Sequence, residues 1–342
     1  MLLIQSLGGD RLKKILEVQN LHVSFSTYGG EVKAVRGVTF DLFEGETLAI
    51  VGESGCGKSV TANSIMQLIP KPAGKISEGN IIFKDIDITN ANEKQMRNIR
   101  GVDISMIFQD PMTALNPTLS IGHQLMEGLK QHQNISNKKA KEKAIEMLNL
   151  VGIPNPEERL EQYPHQLSGG MRQRIVIAIA LICEPDLLIA DEPTTALDVT
   201  IQAQILELFG KIQKETNVAI ILITHDFGVV ANIADRIAVM YAGKIIESGM
   251  KEEIFYHPKH PYTLGLLHSI PRLDQKDDEL IPIDGTPPDL FSPPVGCPFT
   301  ARCPHAIVAC EKMYPLRHES SLSHYVDCWL YDERVKNMKQ TN

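Results

Sequence analysis

The chain has 342 residues, of which 43% are hydrophobic and 22% charged, and it carries a formal net charge of −8. This composition is typical of a globular protein with one large domain and a smaller appendage. The acidic balance argues against nucleic-acid binding, which relies on lysine and arginine to neutralise phosphates. The longest apolar run, Ile175–Cys183, has nine residues, whereas a membrane-spanning helix needs about 20. Because the start of the chain has no signal-peptide pattern, we expect a cytoplasmic protein.

The first 70 residues predict strands that lead into a glycine-rich loop and a helix. Leu16–Phe25 and Val38–Leu42 alternate or cluster apolar residues as strands do, and the apolar run Thr47–Val51 ends at Gly52. The following stretch, SVTANSIMQLI, has the apolar spacing of a helix. A glycine loop between a strand and a helix is the setting of a phosphate-binding loop.

The loop itself reads GESGCGKS from Gly52 to Ser59 and fits the pattern G-x-x-x-x-G-K-[ST]. Its backbone N–H groups and the helix N-terminus predict an anion cradle. Lys58 is expected to reach the β- and γ-phosphates of ATP, and the Ser59 hydroxyl to ligate Mg²⁺. The predicted ATP-binding residues of this loop are Gly52, Glu53, Ser54, Gly55, Cys56, Gly57, Lys58, Ser59 and Val60.

Residues 93–181 have a mostly helical pattern and predict a helical insertion. Within it, the segment from Lys139 places Ala144, Ile145, Leu148 and Val151 on one apolar stripe with charges opposite. Apolar runs then predict buried parallel strands and a closing hairpin. These later strands are Leu187–Ala190, Ala219–Thr224, Arg236–Met240 and Lys244–Ser248.

Two carboxylates stand at the end of the predicted strand Leu187–Ala190. In open α/β sheets, ligands bind at this end of the strands. Asp191 is expected to hold Mg²⁺ together with Ser59. Glu192 is the candidate that polarises the water attacking the γ-phosphate.

Six segments together resemble the motifs of ABC-type ATPases and occur in that family's order. The resemblance covers residues 15–249 and implies an α/β fold: a P-loop NTPase core of ABC type with an antiparallel β subdomain and a helical subdomain, in a domain over residues 14–255. After the P-loop come Phe108-Gln109-Asp110 (Q-loop), Leu167–Arg174 (signature, LSGGMRQR), Asp191-Glu192 (Walker B), Ala196-Leu197-Asp198 (D-loop) and Thr224-His225-Asp226 (H-loop).

The signature segment predicts a second anion site, because a serine and two glycines precede a helical stretch. By the resemblance, this segment covers ATP held by the P-loop of a second ABC ATPase subunit, in a homo- or heterodimer. The residues expected at this site are Ser168, Gly169, Gly170 and Gln173.

The resemblance also assigns roles to single residues outside the P-loop. Gln109 would contact Mg²⁺ or the attacking water, His225 would contact the γ-phosphate, and Asp198 would reach across the dimer interface. An aromatic residue before the P-loop would stack on adenine; Tyr28 is the expected residue and Phe25 the alternative.

Beyond residue 255 the chain is rich in proline, which interrupts helices and central strands. The composition predicts a small loop-rich C-terminal extension over residues 256–330 and a tail over 331–342. In a reducing compartment, cysteines crowded together favour metal ligation over disulfides. Their spacing matches neither a zinc knuckle nor the compact iron–sulfur run and does not identify the metal. The clustered cysteines are Cys297, Cys303, Cys310 and Cys328.

Phe108–Gln124, the segment His257–Thr263 (HPKHPYT) and the cysteine-bearing extension resemble the oligopeptide/dipeptide (peptide/nickel) importer subfamily. This implies a subunit that hydrolyses ATP to energise peptide import at the cytoplasmic face of the membrane. Its implied partners are transmembrane permease subunits and, indirectly, an extracytoplasmic substrate-binding protein. The resemblance also implies a [4Fe–4S] cluster on the four cysteines. The alternatives are Zn²⁺ and unligated or disulfide-bonded cysteines, with His305 as a competing ligand.

Other functions are open at this point. The cargo could be nickel or another small solute, because an ATPase subunit does not contact the cargo. A soluble, non-transport ABC ATPase predicts a long coiled-coil insertion or a second ATPase core, and the sequence contains neither. A catalytically inactive partner predicts a damaged motif, whereas Lys58, Asp191, Glu192 and His225 are all present.

Overall fold

The computed structural model describes residues 13–109, 114–195, 198–269 and 283–335. The chain divides into two compact units. The first comprises Met1–Leu42, Leu48–Thr89 and Thr224–Asn342, and the second Phe43–Thr47 and Asn90–Ile223. Among the described residues, no helix is both long and apolar enough to cross a membrane.

The first unit contains an antiparallel sheet with the strand order β2-β1-β4-β5. In the antiparallel pairing of β1 with β4, Leu16 lies opposite Phe83 and Phe25 opposite Gly74. The structure confirms the strands predicted at residues 16–25 and 38–42 and extends both of them. The strands are β1 (Lys14–Thr27), β2 (Gly30–Phe43), β4 (Gly74–Phe83) and β5 (Ile86–Asp87).

A second group of strands in the first unit carries the glycine loop, in the order β11-β12-β10-β9-β3. The predicted hairpin is confirmed: its turn residues Ala242 and Gly243 have φ angles of 47° and 81°, as a tight hairpin turn requires. The C-terminal extension adds β12 and β11 to this group. The strands are β3 (Thr47–Val51), β9 (Arg236–Tyr241), β10 (Lys244–Met250), β11 (Arg317–Glu319) and β12 (Tyr325–Asp327).

One hydrophobic core joins the extension to the rest of the first unit. It contains Val51 of β3, Tyr241 of β9 and Tyr262, together with Phe299 and Trp329 of the extension. The helices of this unit are α1 (Lys58–Ile65), α8 (Phe227–Ile233), α9 (Lys251–Tyr256), α10 (Pro261–His268) and α11 (Val308–Lys312), with 3-10 turns at Thr300–Arg302 and Trp329–Tyr331.

The second unit contains three parallel strands in the order β8-β7-β6. Their residues are almost all buried, which explains why the sequence shows apolar runs instead of alternation. The strand β6 corrects the prediction for residues 93–181, since it lies within the stretch with a mostly helical pattern. Four residues are too few to show a period. The strands are β6 (Ile104–Ile107), β7 (Leu187–Asp191) and β8 (Ala219–Thr224).

The remaining described part of the second unit is mostly helical. The predicted apolar stripe is confirmed at Ala144, Leu148 and Val151, which are fully buried, whereas Ile145 is half-buried at its edge. Side chains of Ser168 and Asp198 cap two of the helices by accepting backbone N–H bonds. The helices are α2 (Glu93–Ile99), α3 (Ile121–Gln133), α4 (Asn137–Leu150), α5 (Pro156–Leu160), α6 (Gly169–Leu181) and α7 (Val199–Thr216).

Candidate nucleotide-binding and catalytic site

The phosphate-binding loop, residues 52–57, follows the buried strand β3 and ends where α1 begins. Gly55 and Gly57 have φ angles of 78° and 105°, in the left-handed region that glycine tolerates. A Cβ atom on Gly57 would lie 2.5 Å from the carbonyl oxygen of Ala34, so the backbones meet closely there. Gly57 also offers no side-chain cap to α1. The loop therefore has the geometry of an anion cradle.

Lys58 folds back over the loop. Its side chain is buried, and Nζ donates hydrogen bonds to the carbonyl oxygens of Gly52 at 2.7 Å and Glu53 at 2.9 Å. Burial raises the pKa of the Cys56 thiol, whose sulfur lies 3.8 Å from Nζ, and keeps that thiol neutral. The lysine charge is thus not neutralised by a carboxylate in these bonds, which suits an approaching phosphate.

The other predicted residues of this segment differ in exposure. Ser54 is exposed beside Gly55, whereas Ser59 and Val60 are half-buried in the first turn of α1. The Glu53 carboxylate is held by the Arg302 side chain of the C-terminal extension, a contact that the sequence did not predict. The loop is therefore fixed on one side and exposed at Ser54 and Gly55.

Tyr28 lies in the turn between β1 and β2 and is fully exposed, with a relative accessibility of 114%. Phe25, the alternative, is half-buried, and its ring would lie 2.7 Å from a Cβ atom on Gly74. A ring that stacks on a base needs a free face. The Tyr28 ring has such a free face, so Tyr28 remains the predicted stacking residue.

Glu192 is held in an unusual position directly after β7. Its φ angle of 47° is in the left-handed region, which costs a non-glycine residue free energy and is common at functional sites. Its N–H donates to the Ile223 carbonyl of the neighbouring strand at 2.9 Å. Its Oε2 accepts hydrogen bonds from Gln109 Nε2 and Thr195 Oγ1, both at 3.1 Å. Asp191, one residue earlier, is buried.

The signature segment begins helix α6. Ser168 is exposed, and its hydroxyl oxygen accepts the Met171 N–H at 3.3 Å. A Cβ atom on Gly169 would meet no atom within 4 Å, so the backbone there is open. Gln173 differs from these residues: its side chain is buried, and Nε2 donates to the Pro193 carbonyl at 2.6 Å. Gln173 thus links the signature helix to the loop that carries Glu192.

The H-loop and D-loop residues sit at helix starts. His225 is exposed after β8, which excludes the core histidine that the sequence also allowed. Asp226 caps α8 by accepting the Gly228 N–H at 2.7 Å. Asp198 is exposed and caps α7 by accepting the Ile201 N–H at 2.9 Å. Asp110, Ala196 and Leu197 lie outside the described residues.

The four cysteines of the extension are close enough to influence one another. Cys297, Cys310 and Cys328 are buried and Cys303 is half-buried. Burial, opposed by a backbone hydrogen bond and reinforced by the neighbouring thiols, raises the pKa of Cys297 to about 11 and of Cys328 to about 12. All four are free thiols, so the disulfide alternative does not describe this structure.

Three of these cysteines share one local geometry. The sulfur of Cys297 accepts a hydrogen bond from the Phe299 N–H, Cys303 from the His305 N–H and Cys328 from the Leu330 N–H. Such bonds favour the thiolate, but burial outweighs them, and the net effect raises the pKa of all three cysteines. No group of three or more His, Cys, Asp or Glu side chains in the described part of the chain is arranged to hold a metal ion. The His305 side chain is exposed.

Sequence reasoning missed three residues that contact the predicted site: Thr195, Tyr262 and Arg302. Thr195 lies shortly after the two carboxylates, so its hydroxyl could have been predicted from the sequence as a hydrogen-bond partner of Glu192. Arg302 lies 249 residues from its partner Glu53, and no local pattern could reveal that contact. Tyr262 belongs to the segment His257–Thr263, from whose pattern no contact with the P-loop follows.

Two family models match the chain. The model described as "ABC transporter" matches residues 35–195, and the model described as "Oligopeptide/dipeptide transporter, C-terminal region" matches residues 246–310. The first match contains the P-loop, the signature and the Walker B carboxylates. The second ends at the third of the four extension cysteines.

Curated relatives are similar over nearly the whole chain. The dipeptide transport ATP-binding protein DppD of Bacillus subtilis (strain 168) is 66% identical over 326 residues, covering 95% of this chain and 97% of that protein. The oligopeptide transport ATP-binding protein OppD of the same organism is 58% identical over 321 residues, covering 94% and 90%.

A solved structure resembles about two thirds of the chain. It is the dimeric post-hydrolysis state of the ATP-binding cassette MJ0796 bound to ADP and Pi, with a TM-score of 0.62 and 27% identity. It covers 69% of this chain and 99% of the MJ0796 chain. The difference in coverage reflects the extra length of the present chain.

Proposed function

Because the chain belongs to the ATP-binding proteins of dipeptide and oligopeptide ABC transporters, we propose that it binds and hydrolyses ATP to energise import of di- or oligopeptides. The observation that carries the catalytic part is the position of Glu192. A strained carboxylate held by Gln109 and Thr195 directly after a buried strand suits a base that activates water.

The proposed chemistry starts with the triphosphate in the P-loop. Lys58 exchanges its bonds to the Gly52 and Glu53 carbonyls for bonds to β- and γ-phosphate oxygens, and the loop N–H groups bind the remaining oxygens. Tyr28 stacks on the adenine ring. Ser59, Asp191 and Gln109 are the residues that would hold Mg²⁺, which offsets phosphate charge when bound.

Glu192 then acts on water. Its carboxylate orients a water molecule and accepts a proton from it as the oxygen attacks the γ-phosphorus. The bond to the β,γ-bridging oxygen breaks, so that ADP and inorganic phosphate leave. His225, exposed beside its capped helix start, contacts the γ-phosphate and steadies it during the transfer.

The signature segment is proposed to complete the site of a second ATPase subunit. The exposed Ser168 hydroxyl and the open backbone at Gly169 suit a phosphate that comes from outside this chain, whereas Gly170 packs against the Ile201 side chain. Asp198 contacts the partner at the same interface. Gln173 is buried and would not contact that phosphate; its hydrogen bond holds the signature helix to the Walker B loop. The dimeric MJ0796 cassette supports such a pairing.

The permease subunits are proposed to dock on the second unit, at the cytoplasmic face of the membrane. An apolar groove of about 310 Å³ lies there next to the Q-loop, and Phe108 on its edge is 48% exposed. An exposed aromatic ring beside an apolar groove is typical of a protein contact. Gln109 follows Phe108 directly and would report the state of the nucleotide to this partner.

The four extension cysteines are proposed to hold a [4Fe–4S] cluster, with Zn²⁺ as the alternative. Four cysteine side chains offer the sulfur donors that either group takes. Burial raises the pKa of Cys297 and Cys328, so binding of either group would have to displace their protons. The role is structural or regulatory and not catalytic, because the cysteines lie outside the ATPase motifs. Iron and sulfide analysis of anaerobically purified protein tests this, and a zinc-only or metal-free result would exclude the cluster.

ATP binding and phosphate release by the purified chain test the enzymatic proposal. Wild-type protein is expected to bind ATP and release phosphate, and Lys58→Ala to lose both; no ATP binding by the wild type would refute it. The identity of the transported solute is tested by deleting the gene for this chain in its host and measuring growth on dipeptides and growth that depends on nickel. Loss of growth on dipeptides supports the proposal, whereas loss of nickel-dependent growth alone would favour the nickel alternative.

A further inference from the structure

The cysteine-bearing segment contacts the phosphate-binding loop directly, through Arg302. Arg302 lies in CPFTARC, immediately before Cys303. Its Nη1 donates to Glu53 Oε2 at 2.7 Å and its Nη2 to Glu53 Oε1 at 2.9 Å, which is a bidentate pair. Glu53 is the second residue of the P-loop. The extension therefore holds the loop by one of its own side chains.

The Arg302 side chain is itself fixed from several sides. It is only 4% exposed, and its Nε and Nη2 also donate to the carbonyls of Asp284 at 2.9 Å and Ile283 at 3.1 Å. Nη1 has a further bond to the Tyr241 hydroxyl at 3.3 Å. Each nitrogen of the planar guanidinium donates hydrogen bonds, so its position is fixed, and a lysine side chain could not make the same set of bonds.

A second contact holds the backbone at the same position. The Glu53 N–H donates to the Tyr262 hydroxyl at 2.9 Å, and the Tyr262 ring is fully buried. Phe299 of the cysteine segment packs against Tyr262 and Tyr241, with ring centroids 5.4 Å apart in both pairs. Side chain and backbone of Glu53 are thus both tied to the region around Cys297–Cys303.

Glu53 connects this region to Lys58. The Glu53 carbonyl oxygen accepts a hydrogen bond from Lys58 Nζ at 2.9 Å. We propose that Arg302 is a positioning residue for ATP binding, which fixes the P-loop through Glu53 so that the loop is preformed for the triphosphate. Nucleotide affinity then depends on the packing of the cysteine segment. This inference rests on the proposed binding of ATP at the P-loop.

The test measures ATP affinity and turnover in the full chain carrying Arg302→Gln. Without Arg302 the P-loop is no longer preformed, and part of the binding free energy of ATP is spent on ordering it. The Kd and KM for ATP should therefore rise about tenfold relative to wild type. Turnover at saturating ATP should change little, because the catalytic groups remain. Arg302→Lys, which keeps the charge, should restore part of the affinity. Arg334→Gln is the matched control, since it removes the ion pair between the exposed Arg334 and Asp332, just beyond the extension.

Glu53→Gln removes the same ion pair by changing the loop residue. The inference can therefore be tested even if the Arg302→Gln variant does not fold. In the double variant Glu53→Gln/Arg302→Gln, the loss should be much smaller than the product of the single losses. An unchanged Kd in folded Arg302→Gln and Glu53→Gln would overturn the inference. Failure of the wild-type chain to bind ATP would instead overturn the proposed function.

Discussion

Glu192 Oε2 accepts hydrogen bonds from Gln109 Nε2 and from Thr195 Oγ1, each at 3.1 Å. Two donors on one oxygen fix the direction of the carboxylate. Both donors stabilise the charged carboxylate, which is the form that accepts a proton. The left-handed backbone at Glu192 holds the side chain in this position.

Replacing Glu192 by glutamine should leave ATP binding intact and lower turnover by at least about 100-fold, because the amide cannot accept the proton from water. Phosphate release and equilibrium ATP binding measure the two effects separately. Glu184→Gln is a matched control: Glu184 also has a left-handed backbone but pairs with Lys143 at the surface. Equal turnover of the Glu192→Gln variant and wild type would remove Glu192 from the catalytic role.

Thr195→Val tests the second donor, which the sequence did not predict. Valine keeps the branched shape but removes one hydrogen bond to Glu192, so turnover should fall roughly three- to tenfold at an unchanged ATP affinity. Thr195→Ser should restore most of the rate because it keeps the hydroxyl. A Thr195→Val rate equal to that of wild type would show that the second donor has no effect on turnover.

Ser168→Arg should block ATP-dependent pairing of subunits, because a long cationic side chain would fill the open surface beside Gly169. ATP binding to the single subunit should remain. Sedimentation or light scattering of a hydrolysis-deficient background with and without ATP measures the pairing. Ser136→Arg is the control, since Ser136 caps α4 in the same way by accepting the Lys139 N–H. A Ser168→Arg protein that still pairs on ATP would contradict the shared-site model.

His260 should make stability fall in mild acid. Burial lowers the pKa of His260 to about 4, against 6.5 when exposed, although Glu247 opposes the shift. Below pH 6.5 the unfolded chain takes up a proton that the folded chain does not. The free energy of unfolding therefore drops as the pH falls from 6.5 to 4, by about 2 kcal/mol between pH 7.5 and 5.

His260→Asn removes this titration and can still accept the Tyr262 N–H that His260 Nδ1 accepts at 3.0 Å. Denaturant unfolding at pH 7.5 and 5 should give the variant a smaller loss of stability than wild type. His257→Asn changes an exposed histidine nearby and serves as the control. The same loss in wild type and His260→Asn would refute the assignment of the acid sensitivity to His260.

Much of the fold follows from local patterns. Thr47–Val51 and Ala219–Thr224 are predicted with the bounds that the structure has, because an unbroken apolar run between polar ends leaves little freedom. The hairpin at Ala242-Gly243 is equally local. By contrast, β6 has four residues and no usable period, and its pairing with β7 depends on residues more than 80 positions away.

The site divides in the same manner. Lys58 and Glu192 belong to motifs in which neighbouring residues in the sequence also form the site, so the sequence alone predicts them. Arg302 could not be found this way, because its role depends on a contact with Glu53 that only the folded extension creates. The buried position of Gln173 likewise depends on Pro193, 20 residues away, and not on the signature pattern.

The central claim is that ATP hydrolysis by this chain drives peptide import. Its most direct test is uptake of a labelled dipeptide by vesicles that contain the chain with its permease subunits, a second ATPase subunit if the pair is mixed, and the binding protein. We expect uptake that requires ATP on the side of this chain and is lost with Glu192→Gln. Uptake that proceeds equally without ATP, or equally well with Glu192→Gln in place of the wild-type chain, would contradict the account.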